Sequence, residues 1–393
     1  MGRMLESEEA ARRLGVKLPT LYAYVSRGLL VSHPSDDSRR RRLFDVDEVE
    51  QLARRSRGSR PVESRLASVT TGITQIREEG ASYRGQPIAR LATRATFEEV
   101  ADLLWRADPL PSDWDPVRLP RPPRLETGDL LRWVTVMCGA RDRLRADLRE
   151  ELVIRSARRL ITTMVASLPT VASDTTSPGN GSTAERLARH LVPSGLAPAV
   201  RRELDRSVNV ALVLMADHEL ATSTVAVRVA ASTRADLYDA VLAGLGTLAG
   251  PLHGGASQLA YSLLVDADRQ GVERALNECL RWQGVLPGFG HTVYKHGDPR
   301  VAPLLECFNR LAQPEQRALV DELISLAREH SVPDPNVDLA LAAVTWATGM
   351  PTDAGRTIFT IARIAGWTAH YLEELSERPL RFRARAVYAT AKE

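Results

Sequence analysis

Five short stretches hold the side chains whose types and surroundings point to chemistry. In "GPLHGGASQLAYSLL", residues 250–264, His253 stands between a Gly-Pro turn and a Gly-Gly pair, immediately ahead of an amphipathic helix. The glycines let other groups approach the backbone and the helix start supplies unpaired N–H donors, which makes His253 a catalytic candidate. "LPGFGHTVYKHGDPRVAPL" repeats that design: His291 follows a glycine-flanked aromatic, and Arg300 comes nine positions later, beyond an Asp-Pro turn. "MADHELATSTVAVRVAAS" sets Asp217, His218 and Glu219 side by side near a helix start, a candidate for ligand binding. In "PNVDLALAAVTWATGMP" one carboxylate, Asp338, heads an otherwise apolar helix, where aspartate also suits the part of a helix cap. "FTIARIAGWTAHYLEEL" carries Arg363 inside an apolar helical run. A buried guanidinium without a partner is costly, so an anionic partner is expected.

The elements that must position these residues are mostly helices by hydrophobic period. They follow an opening "SVTTGITQIREEGASYRG", whose β-branched residues flank a turn at Glu79 and Gly80 and predict a short hairpin. Two stretches interrupt the helices. Proline-rich "RADPLPSDWDPVRLPRPPRLE" predicts an extended connection, and "TVASDTTSPGNGSTAERLA" a mobile loop of small residues. A chain of 393 residues, 44% apolar and 26% charged, has room for two or three ordinary globular domains with sizeable cores. Its three cysteines (Cys138, Cys279, Cys307) are odd in number, far apart and outside any CxxC or Cys/His cluster, which argues against a disulfide framework and against a zinc site. The N-terminus lacks the apolar core of a signal peptide and no apolar run is long enough to span a bilayer, so a cytoplasmic location without a membrane partner is expected.

Charge divides unevenly. Residues 1–58 carry 12 Lys+Arg against 9 Asp+Glu, so the whole formal excess of +3 sits there and the remainder balances. Within this segment "ESEEAARRLGVKLPTLYAYVSRGLL" reads as a helix capped by Ser7, with Ala10, Ala11 and Leu14 inward, a turn at Gly15, and a second helix opened by Pro19 and Thr20 and closed at Gly28. "LLVSHPSDDSRRRRLF" follows as a two-stranded hairpin with an arginine-rich tip, and "DVDEVEQLARRS" as a further helix. The whole resembles the winged helix-turn-helix of the MerR and excisionase type, and a polar, basic linker with Gly58 and Pro61 marks its end. That resemblance implies double-stranded DNA as a partner. Thr20, Tyr22, Tyr24 and Arg27 of the second helix would enter the major groove, while Arg39, Arg40, Arg41 and Arg42 of the wing would meet phosphates.

Taken together and in order, "GPLHGGA", "GFGH" with the "YK" and "DPR" after it, "PNVD" and "IFTIARIAGWTAH" resemble the motifs of the citrate synthase family, from about residue 64 to the C-terminus. The resemblance implies a mainly α protein: a citrate synthase body over residues 59–393, with a small domain inserted at roughly 256–350, behind the winged module of residues 1–58. It implies a homodimer. It also implies condensation of acetyl-CoA with oxaloacetate to citrate and CoA, the acyl group becoming an alkyl group on transfer, with acetyl-CoA as co-substrate, no permanently bound cofactor and no metal.

The family's roles fall on residues of suitable chemistry. Asp338 would remove a methyl proton from acetyl-CoA, and a neutral His253 would stabilise the enol at the thioester oxygen. A carboxylate is badly mismatched against a carbon acid, so desolvation and aimed donors are needed. His291 would donate to the oxaloacetate carbonyl. Arg300, Arg363 and an arginine from the partner subunit would clamp the two carboxylates, with His218 as a further donor. In "ERPLRFRARAVYAT" the partner arginine falls on Arg381, with Phe382 in place of the family's proline, or in the alternative register on Arg383. Other departures are Ala221–Thr224 for Asn-Ala-Ser-Thr, Ser257 for asparagine, and Thr292 after His291. Acyl preference stays open, since one methyl group discriminates weakly, so propionyl-CoA and a 2-methylcitrate product are the alternative. A DNA-binding regulator with a metabolite-sensing body is the other.

Overall fold

The apolar period of the sequence becomes a helical body, and the strands are confined to two small sheets. The structure, a computed structural model, describes residues 69–383 apart from 78–79, 110–113, 171–180, 194, 251–252 and 295–296. Of the N-terminal region it describes 4–14, 16, 18, 21, 25, 30–35, 38–46 and 48–49. The chain divides into two compact units, the first holding Met1–Val69 and the second Thr70–Arg383.

In the first unit β1 (Met4–Glu6) leads directly into α1 (Ser7–Leu14), whose Ala10, Ala11 and Leu14 are buried as its period requires. β2 (His33–Ser35) and β3 (Ser38–Asp45) form the hairpin, and β1 adds to the far edge of β3 as a third strand that the two-stranded expectation omits. The β1 run is only three residues long, so no alternation announces it. Arg39, Arg40, Arg41 and Arg42 lie along β3, with Arg42 opposite Pro34 and its side chain exposed. Leu5, Leu21, Leu30, Phe44 and Val49 close the core with α1. Thr20, Tyr22, Tyr24 and Arg27, and the side chains of Arg39–Arg41, lie outside the described residues.

The second unit opens with β4 (Thr74–Arg77), β5 (Gly80–Tyr83) and β6 (Gln86–Pro87), an antiparallel meander in which Arg77 faces Gly80 across the hairpin turn. Helices follow: α2 (Ile88–Arg94), α3 (Phe97–Trp105), α4 (Thr127–Arg141), α5 (Glu150–Ser167), α6 (Thr183–Leu191), α7 (Pro198–Met215), α8 (Thr222–Ser232) and α9 (Leu237–Leu248). The chain between α3 and α4 is without regular structure where it is described, as its prolines predict, while 171–180 of the small-residue loop fall outside the described residues. Next come α10 (Ala256–Gln270), α11 (Val272–Gln283), α12 (Val301–Leu311), α13 (Pro314–Glu329) and α14 (Val337–Ala347), and α10 and α12 both pack on α14. The last helix, α15 (Ala354–Leu375), is apolar around most of its circumference and is surrounded by α3, α5, α7, α8 and α9. Its Ile358, Ile361, Ile364 and Trp367 are almost fully buried, each aliphatic worth about 1.5–3 kcal/mol of transfer free energy. Arg363 and His370 sit on the same buried helix, so their polar atoms must find partners inside it. No described helix is long and apolar enough to cross a membrane.

Candidate active site

A cavity of about 450 Å³ lies in the second unit, lined among others by His218, His253, His291, Arg300, Asp338 and Arg363. Six residues spread over 146 positions of sequence thus reach one space, five from turns or helix ends and Arg363 from within the last helix.

His218 follows the C-terminus of α7, in a turn pinned by the β4–β5 hairpin. The Tyr83 hydroxyl lies 3.1 and 3.3 Å from the carbonyls of Val213 and Leu214 and 3.0 Å from that of Asp217, and it accepts from the Asp217 N–H at 3.2 Å. Thr74 donates to the Asp217 carboxylate at 2.5 Å. Glu219 takes the left-handed conformation (φ 49°), a strained backbone held by these ties. Gly366 of α15 closes the turn from beneath: its N–H donates to the Ala216 carbonyl, and a Cβ there would stand 2.3 Å from Asp217 Oδ1. The His218 ring has a buried Nε2 without a partner among the described residues, and burial together with the Arg300 and Arg363 charges pushes its pKa far down, so it is neutral.

His253 stands in the turn between α9 and α10, where Gly254 lets the backbone pass so close to the Leu248 carbonyl that a Cβ would lie 2.2 Å from its oxygen. The His253 Nε2 is bonded to the Ser223 hydroxyl of α8 at 2.8 Å, and its ring meets the Phe359 ring edge-on at 6.4 Å. Burial and then Arg363 lower its pKa. Neither Ser223 nor Phe359 is among the candidate site residues of the sequence, although Ser223 keeps the serine of the Asn-Ala-Ser-Thr stretch in which Ala221 and Thr222 depart. Ser257, another departure, is buried against Gly355.

The His291 loop and the Asp338 helix are tied by backbone. Gly290 donates to the Asp334 carbonyl, Asn336 donates to that of Gly288, and the Asn336 side chain donates to that of Gly290. Gly288 is required twice over, by φ of +84° and by the Leu339 Cβ that a side chain would meet at 2.8 Å. The His291 Nδ1 accepts from the Val293 and Tyr294 N–H groups, at 3.0 and 3.3 Å. Two donors on Nδ1 fix the proton on Nε2 in the neutral ring. Arg300 Nη2, 3.4 Å from Nε2, is then a neighbouring charge that lowers the pKa, after burial as the first cause.

The helix cap expected of Asp338 is made by Asn336 instead, whose Oδ1 accepts from the Asp338 N–H at 2.9 Å. Asp338 therefore keeps its carboxylate for the cavity. Burial pushes its pKa up to about 6, against the pull of Arg300.

Arg300 is built in with its own counterion: Nε and Nη2 donate to the two oxygens of Asp298 at 2.9 and 2.8 Å, and Asp298 also accepts from Val337 N–H. Tyr294 packs against the rings of His218 and His291, and Arg300 lies over its face. Asp298 stands in the sequence only as part of the Asp-Pro turn, and Tyr294 only as part of the "YK" that follows "GFGH". Arg363 differs. Its Nε donates to the Met215 carbonyl at 3.0 Å and its guanidinium stacks on Phe359, and among the described residues no carboxylate forms an ion pair with it. The anionic partner expected of it is thus not supplied by the described chain. Arg381 is held in the same subunit by Glu374, donating to both its oxygens at 2.6 Å, whereas Arg383 is exposed. Among the described residues no group of His, Cys, Asp and Glu is arranged to hold a metal ion.

The helical body thus gathers neutral histidines, two arginines and a carboxylate unpaired among the described residues around one cavity, the groups that acid–base work on a small anion calls for. Residues 121–385 match the family model for the citrate synthase C-terminal domain, and the chain belongs to the citrate synthase family. Residues 4–57 match a helix-turn-helix domain. Citrate synthase 2 of Bacillus subtilis is 29% identical over 82% of this chain and 94% of its own length. The 2-methylcitrate synthase 2 of Corynebacterium glutamicum is 28% identical over 79% and 89%. The solved citrate synthase of Thermotoga maritima matches with a TM-score of 0.66 and 27% identity, covering 83% of this chain and 94% of that one. The citrate synthase of Thermoplasma acidophilum, solved with carboxymethyl coenzyme A and oxaloacetate, shares the fold with a TM-score of 0.64 at 24% identity, over 86% of this chain and 97% of its own.

Proposed function

We propose that the second unit condenses acetyl-CoA with oxaloacetate to give citrate and CoA. The observation that carries this reading is the Asp338 carboxylate, unpaired among the described residues, with its pKa raised and sharing a cavity with three histidines and two arginines. Asp338 takes a proton from the acyl carbon. A raised pKa narrows its mismatch with that weak carbon acid. Ser223 donates to His253 Nε2, which leaves the proton on Nδ1 to bond the thioester oxygen as it gains charge. The enol carbon then attacks the oxaloacetate carbonyl carbon while His291 Nε2–H donates to that carbonyl oxygen, and water cleaves the citryl thioester to free CoA. Arg363, without a carboxylate of its own, takes one substrate carboxylate. Arg300 Nη1, not engaged by Asp298, takes part in binding the other, and His218 adds a donor.

The working unit is a homodimer with a small domain at roughly 256–350. Apolar Val136 on α4 and Val229 on α8, left exposed in one subunit, support the pairing. The partner subunit's Arg383 completes the clamp, since Arg381 is occupied by Glu374. The first unit binds duplex DNA through phosphates, supported by the helix-turn-helix match and by exposed Arg42 in the arginine-rich β3. Relatives of near-equal identity bear citrate and 2-methylcitrate synthase names, so the acyl group is acetyl or propionyl.

The test is release of free thiol from acetyl-CoA and from propionyl-CoA, with and without oxaloacetate. Release that needs oxaloacetate is expected, and the faster thioester names the acyl group. No release from either, with retardation of duplex DNA intact, would replace the enzyme by a metabolite-sensing regulator.

A further inference from the structure

Behind the cavity runs a line of buried charged groups that the proposed chemistry does not use. It begins at Asp217, next to His218. The His370 Nε2 faces Asp217 Oδ2 at 3.4 Å, and its Nδ1 lies 2.8 Å from Arg228 Nη1. Arginine is always a donor, so Nδ1 accepts and the His370 proton is on Nε2, directed at Asp217. Arg228 donates onward to Glu373 at 2.7 Å and to Glu374 at 2.9 Å, and Glu374 takes the bidentate pair of Arg381. Asp217, Arg228, His370 and Glu374 are each at most 2% exposed. Three buried charges and an imidazole in one line are expensive, and they buy a fixed arrangement more readily than stability.

What the line connects is informative. One end is the strained turn of His218. The other is the segment after α15, laid back on α8 by the Leu380 N–H to the Ser232 carbonyl, and by Arg234 donating to the carbonyls of Glu374 and Glu377. Arg383 is two residues beyond the Arg381 anchor, so its Cα can lie no farther than about 7 Å from that of Arg381. Glu374 is the junction, since among the described residues it alone pairs with both Arg228 and Arg381.

We propose that Glu374 is a positioning residue, which through Arg228, His370 and Asp217 sets the substrate-binding turn of its own subunit and through Arg381 sets the arginine delivered to the partner's cavity. This rests on the condensation reading above and on Arg383 as the shared cation. Each subunit then adjusts two sites, its own in cis and the neighbour's in trans.

The trans effect separates this from a merely structural part for Glu374. Mixed dimers are assembled in which one subunit carries both Asp338→Asn and Glu374→Gln and the other is wild type, leaving one working cavity that receives its arginine from the altered subunit. The oxaloacetate KM of that cavity should rise about tenfold or more, the weight of one charge-assisted contact, while kcat and the acyl-CoA KM stay within about twofold. A KM equal to that of mixed dimers carrying Asp338→Asn alone overturns the proposal. Should Glu374→Gln prevent folding, Arg381→Gln, partly exposed and cut from the same junction, replaces it with the same expected rise and the same overturning result. A wild-type dimer without oxaloacetate-dependent thiol release would instead sink the condensation reading itself.

Discussion

Arg300 and Arg363 line the same cavity and are held by opposite means. Arg300 belongs to a wall closed on itself: Asp298 neutralises it, Asn336 ties its loop to α14, and backbone bonds run across at Gly288 and Gly290. Arg363 belongs to a wall whose charges are settled elsewhere. Asp217 faces His370 and Thr74, leaving Arg363 a carbonyl and a phenyl face. Charge compensation at the cavity is thus built into one wall and, among the described residues, missing from the other. In the proposed reaction the first cation belongs to the fold and the second takes the anionic substrate.

The sharpest break between the walls is thermodynamic. Arg300→Gln leaves the Asp298 carboxylate buried and unpaired, so chemical denaturation should show a loss of about 3–5 kcal/mol. Arg363→Gln removes a buried charge that has no ion pair, and stability should hold or rise. Equal destabilisation by both would erase the distinction. In ligand binding the order reverses for Arg363: calorimetry with its Gln variant should find oxaloacetate affinity lower by about 100-fold, the loss of a charge-assisted bidentate contact.

A smaller effect concerns Asp338. Its ordinary value of 3.8 is raised to about 6 in the folded protein, so the unfolded chain releases this proton first as pH rises. Ionisation therefore costs stability, beginning above pH 4 and complete above about 6. Asp338→Asn removes that cost, and its partial exposure trims the gain to about 1–2 kcal/mol at pH 7–8, fading to nothing below pH 4. A thermal shift that is independent of pH would contradict the raised pKa. For the same reason kcat/KM of the wild type should climb through about pH 6 with the slope of one proton. Smallest is Ser223→Ala, which frees His253 Nε2: kcat should fall about fivefold with the oxaloacetate KM unchanged, the worth of one neutral hydrogen bond.

Much of the site was legible because glycine turns and helix starts leave local marks. His253, His291 and Asp338 each sit where the sequence bends or a helix begins, and Arg363 stood out as a cation in an apolar run. The supporting partners were not legible. Asp298 and Asn336 lie two residues before Arg300 and Asp338, near enough to be seen, yet nothing local says which way a carboxylate or amide turns. Asp217, Arg228, His370 and Glu374 meet only after 142–153 residues of intervening chain have folded, and such pairings have no periodicity. Arg381 shows the same limit: in its own subunit it pairs with Glu374, seven residues upstream, a contact that the motif does not announce.

The central claim is that Asp338 acts on one substrate while the arginines hold the other. It is tested most directly by measuring oxaloacetate binding and thiol release on the same preparation of Asp338→Asn. Affinity for oxaloacetate within about twofold of wild type, with thiol release from acetyl-CoA lower by about a thousandfold or more, is the predicted result. Oxaloacetate affinity lost together with activity, or condensation retained, would contradict it.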